Sequence, residues 1–131
     1  MYKILTAITI LLSSLSIAAQ PVMGEANLSI ESDIYDFGQV DQFELTECIF
    51  VVTNTGDQPL IISKCQKSCG CTTPQCNPDP IMPGETSDIS IKYDSGRVGP
   101  FNKSITVHSN DLDEPKKVLR IKGEILAQKK D

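Results

Sequence analysis

The sequence predicts an all-β fold, an immunoglobulin-like antiparallel β-sandwich of about seven strands. Three observations carry that expectation. Short runs of alternating apolar and polar residues recur along the chain, separated by clusters of Gly, Pro, Asn and Asp. No stretch of the expected mature chain sustains a helical period. A chain of 131 residues is also the right size for two sheets closing on one modest core.

The chain opens with a segment that reads as a secretory signal peptide, residues 1–19. Lys3 supplies the positive charge, Ile4 to Ile17 the apolar stretch, and Ala18-Ala19-Gln20 the small residues for cleavage after Ala19. The apolar stretch is shorter than the roughly 20 residues of a membrane span. No cysteine follows it directly, so neither a stable membrane anchor nor a lipid anchor at that point is expected. The chain is therefore expected to be exported, periplasmic or secreted. Residues 20–27 read as a flexible lead-in, 28–126 as the sandwich domain and 127–131 as a polar tail.

Within the domain, Leu28, Ile30 and Ile34 alternate with Ser29, Glu31 and Asp33 as a first strand. Asp36-Phe37-Gly38 reads as a bend or bulge. Glu47 to Asn54 is a second strand, apolar on both faces and so central, followed by the turn Asn54-Thr55-Gly56-Asp57. Leu60 to Cys65 is a third strand, running into a cysteine-rich loop. Asn77-Pro78-Asp79-Pro80 breaks the chain, and Pro83-Gly84 turns it. Ile89, Ile91 and Tyr93 mark the next strand. Phe101, Lys103, Ile105 and Val107 share a face of another, and Leu119, Ile121 and Ile125 belong to the last. There is no Trp, so the core is expected to rest on aliphatic burial.

Four of the five cysteines fall in one run, Cys65, Cys69, Cys71 and Cys76, spaced C-x3-C-x-C-x4-C. In an extended segment Cys69 and Cys71 point to one face, with Cα atoms about 6.6–7.2 Å apart. That is at or beyond the outer limit of about 6.8 Å for a disulfide, and a turn at Gly70 shortens it. The outer pair has room to close a loop. Four thiols can equally hold zinc or copper(I), which thiolates favour. Lys64 and Lys67 help hold thiolates for either metal or redox chemistry. An exported chain tends to pair its cysteines, and an odd count leaves one over. Cys48 shares a face with Phe50 and Val52 and is expected to be a buried free thiol.

The net charge of −5 argues against a nucleic-acid partner. No nucleophile elbow, phosphate loop or pair of carboxylates with a defined separation is present, so no enzyme activity is expected. His108 alternates with the apolar Ile105/Val107 face and is expected to meet solvent. Asn110, Asp111, Asp113 and Glu114 are oxygen donors, but they lack an EF-hand frame and read as an acidic turn.

Several of these pieces together resemble the bacterial domain-of-unknown-function family 1573, small exported proteins common in Bacteroidetes. The matching pieces are Asp36-Phe37-Gly38, Asn54-Thr55-Gly56-Asp57 with Pro59-Leu60, Ser68-Cys69-Gly70-Cys71-Thr72, Pro80-Ile81 with Pro83-Gly84-Glu85, Gly99-Pro100-Phe101-Asn102-Lys103, Ser109-Asn110 and Ile121-Lys122-Gly123. The resemblance implies a sandwich akin to PapD-like and major-sperm-protein-like modules, and no established activity. The family's Cys-Gly-Cys falls on Cys69 and Cys71. Cys65 and Cys76 depart from the pattern, flanking the same loop, and that placement favours a Cys65–Cys76 disulfide with a second, Cys69–Cys71, left open. The function expected is a non-enzymatic envelope binding or assembly module without a cofactor, its protein partner taken up by edge-strand addition. The alternatives are a zinc or copper(I) site on Cys65, Cys69, Cys71 and Cys76, and a thiol–disulfide redox protein.

Overall fold

A computed structural model describes residues 24–129 of the chain. The expected signal peptide, its cleavage point, the start of the lead-in and the end of the tail lie outside the described residues. Eight strands run in the order β1 (Leu28–Ile30), β2 (Ile34–Asp41), β3 (Glu47–Asn54), β4 (Ile62–Lys67), β5 (Thr72–Cys76), β6 (Thr86–Tyr93), β7 (Gly99–Ser109) and β8 (Lys116–Leu126). They form two four-stranded sheets, β1-β3-β6-β5 and β2-β8-β7-β4, packed as an all-β sandwich. The core lies between them. Phe50, Val52, Ile89 and Ile91 face it from the first sheet; Ile105, Val107, Leu119, Ile121 and Ile125 face it from the second. Each such side chain contributes about 1.5–3 kcal/mol by leaving water.

Two features depart from the expected antiparallel sandwich of about seven strands. There are eight strands, and β2 runs parallel to β8, with Ile34 opposite Arg120. The first expected strand is in fact two. β1 pairs antiparallel with β3 in one sheet, and the chain then crosses to the other sheet. The crossing is local chemistry: the Ser32 hydroxyl donates to the Ile34 carbonyl at 3.0 Å, and Arg120 N donates to the Asp33 carbonyl at 2.8 Å. Alternation alone could not reveal it, because Ile34 keeps the parity of Leu28 and Ile30. Ile34 is 47 % exposed.

The bulge expected at Asp36-Phe37-Gly38 is present. The β2–β8 register shifts between Asp36 and Gln39, and Gly38 takes a φ of 65°. Opposite it, a Cβ on Gly123 would come within 2.9 Å of the Gly38 carbonyl and 3.0 Å of the Phe101 ring. Phe101 in turn stacks on Tyr93 with centroids 3.9 Å apart.

From Glu25 onward the lead-in hydrogen-bonds to the turn after β3. Thr55 N donates to Asn27 O and Asp57 N to Glu25 O, both at 3.0 Å, and Ala26 is buried. The knot of this end is Asn54, fully buried. Its Nδ2 donates to the Gln58 and Ile81 carbonyls at 2.7 and 2.8 Å, and its Oδ1 accepts from Gly56 N and Asn27 N at 3.0 and 3.3 Å.

Candidate functional site

The cysteine run is not one loop. β4 carries Cys65, a turn holds Cys69 to Cys71, and β5 ends on Cys76. The sequence reading missed β5 because Pro74 sits inside it. β5 is an edge strand, and an edge tolerates a proline. β4 belongs to one sheet and β5 to the other, so the pair Cys65 and Cys76, with Cα atoms 6.4 Å apart, ties the two sheets together at their shared margin. Cys69 and Cys71 meet across the turn at Gly70, with Cα atoms 5.4 Å apart. The turn is held further by Thr72 Oγ1 donating to the Cys69 carbonyl at 3.2 Å and by Asp94 N donating to Cys71 O at 2.8 Å. The sulfurs are thus drawn together two by two. Among the described residues, no group of three or more His, Cys, Asp or Glu converges as metal ligands would.

The remaining candidates take structural positions. Cys48 is buried beside Phe50 in the core. Burial, and then the neighbouring Glu47 carboxylate, push its thiol up to about 11, so it stays protonated and apolar. His108 is half-buried on the outer face, its Nε2 3.2 Å from Gln66 Oε1. The acidic turn after β7 is a real turn, but Asp111 does not face solvent. It is 2 % exposed, and its carboxylate accepts from Leu28 N at 2.8 Å, Asp113 N at 2.9 Å and Glu114 N at 3.1 Å. Burial works to raise this carboxyl; the three backbone donors outweigh it and hold the group below its ordinary value. An oxygen set for calcium is not what this turn presents. Its carboxylate fastens β1 to the β7–β8 connection.

The opposite margin of the sandwich is open, and the sequence did not reveal it. Asn54 N donates to Glu85 O and Tyr93 N to Thr46 O, so even-numbered residues of β3 direct their backbone groups toward β6. Odd-numbered residues, Ile49 and Val51 among them, direct theirs to the other side. β1 pairs there only as far as Ile30 with Val52 before the chain crosses sheets. Among the described residues, no strand continues beside Ile49. The Ile49 and Val51 side chains are 55 % and 49 % exposed. Beside them lies a groove of about 440 Å³, lined by Ile30, Glu31, Ile34, Tyr35, Ile49 and Val51. Glu31 lines it; on the outer face of the same sheet Asp88 stands opposite Val51, and Glu47 stands opposite Lys92.

No helix among the described residues is long and apolar enough to cross a membrane. No curated protein matches the chain in sequence. Among solved structures, a protein of unknown function from Porphyromonas gingivalis W83 superposes with a TM-score of 0.70 at 22 % identity, over 83 % of this chain. This chain spans 51 % of that protein's length. A PapD-like domain of human CEP192 gives a TM-score of 0.63 at 13 % identity, covering 88 % of this chain and 98 % of that one. The YadV chaperone gives 0.56 at 10 % identity, over 79 % of this chain and 54 % of that one. At such identities these likenesses establish the fold alone. The sequence model of one family covers residues 28–125, nearly the whole sandwich. The chain therefore belongs to the protein family of unknown function DUF1573.

Proposed function

We propose that this protein is an exported, non-enzymatic binding module that takes up an extended segment of a partner protein along the open side of β3. The observation that carries the reading is the early departure of β1, after Ile30 opposite Val52, which leaves Ile49 without a neighbouring strand beside an apolar groove. An added strand satisfies the backbone groups of Ile49 and buries alternate side chains in the groove. Glu31 at the groove and Asp88 opposite Val51 favour a segment that alternates apolar with basic residues. A second copy of this chain is a poorer occupant, because its Glu31 and Asp88 would meet like charges and the chain as a whole is acidic. The chaperones YadV and SfaE share the fold, which gives the reading a precedent by analogy.

A synthetic peptide alternating valine with lysine tests it by amide hydrogen exchange. The peptide is expected to protect the Ile49 amide, and Ile49→Lys is expected to weaken binding at least tenfold by repelling the basic strand. Protection confined to loops or to β2, or protection that rises with protein concentration in the absence of peptide, rejects the reading.

At the other margin, the reading holds Cys65–Cys76 and Cys69–Cys71 as structural disulfides that keep β4 and β5 together. Cys65→Ser under oxidising conditions is expected to lower stability by up to about 3 kcal/mol, the entropy of the loop it opens. Urea unfolding with and without reductant measures this. A variant as stable as the parent without reductant excludes a structural role for the outer pair. The zinc and copper(I) alternatives need free thiolates, and the four sulfurs are drawn into two pairs; the redox alternative is compatible with the Cys69–Cys71 pair but has no helix N-terminus among the described residues to activate its thiol.

A further inference from the structure

The outer face of the β2-β8-β7-β4 sheet carries a charge pattern that the strand-addition reading does not use. The chain as a whole is acidic, with a net charge of −5. On this face its cations gather toward one end. By the strand alternation, Lys64 on β4 lies opposite His108 on β7, which lies opposite Lys116 on β8. Arg120 and Lys122 continue the row along β8, opposite Ser104 and Asn102. Asp36, 3.9 Å from Lys122, and Glu124 and Asp41, beyond it, bring negative charge to the far end of the same face. Lys64, Lys116, Arg120 and Lys122 are all exposed.

A shallow groove of about 330 Å³ lies in this face, lined by Gln66, Lys67, Ser68, Ser104, Thr106, His108 and Lys116. Two cations flank it, and its floor consists of hydroxyl, amide and imidazole groups. Exposed ammonium groups bind a single small anion weakly, because water and salt screen each contact. An extended polyanion overcomes that limit by engaging several cations at once. With strands rising about 3.3 Å per residue, Lys116 and Arg120 stand roughly 13 Å apart, so a ligand touching both must itself be long. The polar floor suits an anion that also presents hydroxyl groups. A lipid surface needs a cluster of apolar side chains; the groove's lining has none, and on the face beside it Val118, opposite Thr106, and Ile34, opposite Arg120, stand singly.

We propose that this face binds a linear acidic polysaccharide, seated on the groove between Lys67 and Lys116 and continuing past Arg120. The site is on the opposite sheet from Ile49 and Val51, so it operates independently of strand addition.

Isothermal titration of the purified chain with polygalacturonate oligomers tests this at low salt, with neutral dextran, a DNA oligonucleotide of matched charge and phosphatidylglycerol vesicles as separate arms. The polygalacturonate is expected to bind, and dextran is not. The triple variant Lys67→Gln, Lys116→Gln, Arg120→Gln is expected to weaken binding at least tenfold, and Lys116→Gln alone severalfold. Lys92→Gln, on the other sheet, is expected to change affinity less than twofold. The positions are exposed, and thermal unfolding of each variant is expected to match the parent. Absence of polygalacturonate binding overturns the proposal. Equal binding of DNA or vesicles, or equal loss with Lys92→Gln, assigns the attraction to unspecific charge and overturns it as well.

Discussion

Asn54→Leu is expected to destabilise the fold by about 4 kcal/mol or more. The side chain is fully buried and uses every hydrogen-bonding position it has: two donors to Gln58 O and Ile81 O, two acceptances from Gly56 N and Asn27 N. Leucine keeps the branching at Cγ, is somewhat larger, and removes all four bonds. The stranded groups belong to three separate segments that Asn54 joins at once: the lead-in before β1, the turn after β3 and the stretch before β6. Each unsatisfied buried group costs on the order of 1–3 kcal/mol, with partial relief where water reaches it. Against the roughly 5–15 kcal/mol available to a domain this size, such a loss brings the chain close to unfolding. Asn54→Asp sharpens the test. A carboxylate would face the Gln58 and Ile81 carbonyls, so this variant is expected to be most destabilised near neutral pH and to recover as acid supplies a proton to donate. Urea midpoints for the two variants across pH check both statements, and a variant within 1 kcal/mol of the parent at neutral pH would contradict the assignment of Asn54 as the knot.

Asp111→Ala is expected to cost on the order of 3 kcal/mol, by leaving the Leu28, Asp113 and Glu114 amides without their acceptor. The Leu28 bond carries most of this, since it is buried and joins β1 to a turn far along the chain. The pH dependence has a definite sign. The folded carboxyl is held below its ordinary value, so the folded state binds its proton less readily than the unfolded chain. The stability it contributes is complete above the unfolded value, about 3.9, and is lost as pH falls through the folded one. Parent and variant are therefore expected to differ at pH 7 and to converge in acid. Amide exchange at Leu28 gives a second readout: in Asp111→Ala that amide is expected to exchange much faster, while those of β7 and β8 keep their order relative to one another. A variant that retains Leu28 protection would remove Asp111 as the fastening of β1.

Much of the sandwich was legible because a strand exposes its two faces at a period of two. β3, β6, β7 and β8 were each marked by three or more apolar residues of one parity, and the structure turns those residues inward. The bulge at Gly38 was legible because glycine relieves a positive φ that other residues resist. β5 was hidden by Pro74, which argues against an interior strand and says nothing against an edge. The division of the first strand into β1 and β2 was hidden for another reason. Both halves keep one alternation, and parity does not report which sheet a strand joins.

Composition and order by themselves determined that this chain is all-β, where most of its strands run, that its single histidine lies off the apolar face of its strand, and which family it resembles. Those are local properties, fixed by side-chain chemistry at short spacing. Tertiary structure decided what the strands leave uncovered. The open side of β3 exists because β1 departs after Ile30, the link between the sheets exists because β4 and β5 belong to different ones, and Asp111 is buried because Leu28 comes to it from 83 residues away. Each depends on which distant segment arrives beside a given strand, and a repeat of period two carries no record of its neighbour.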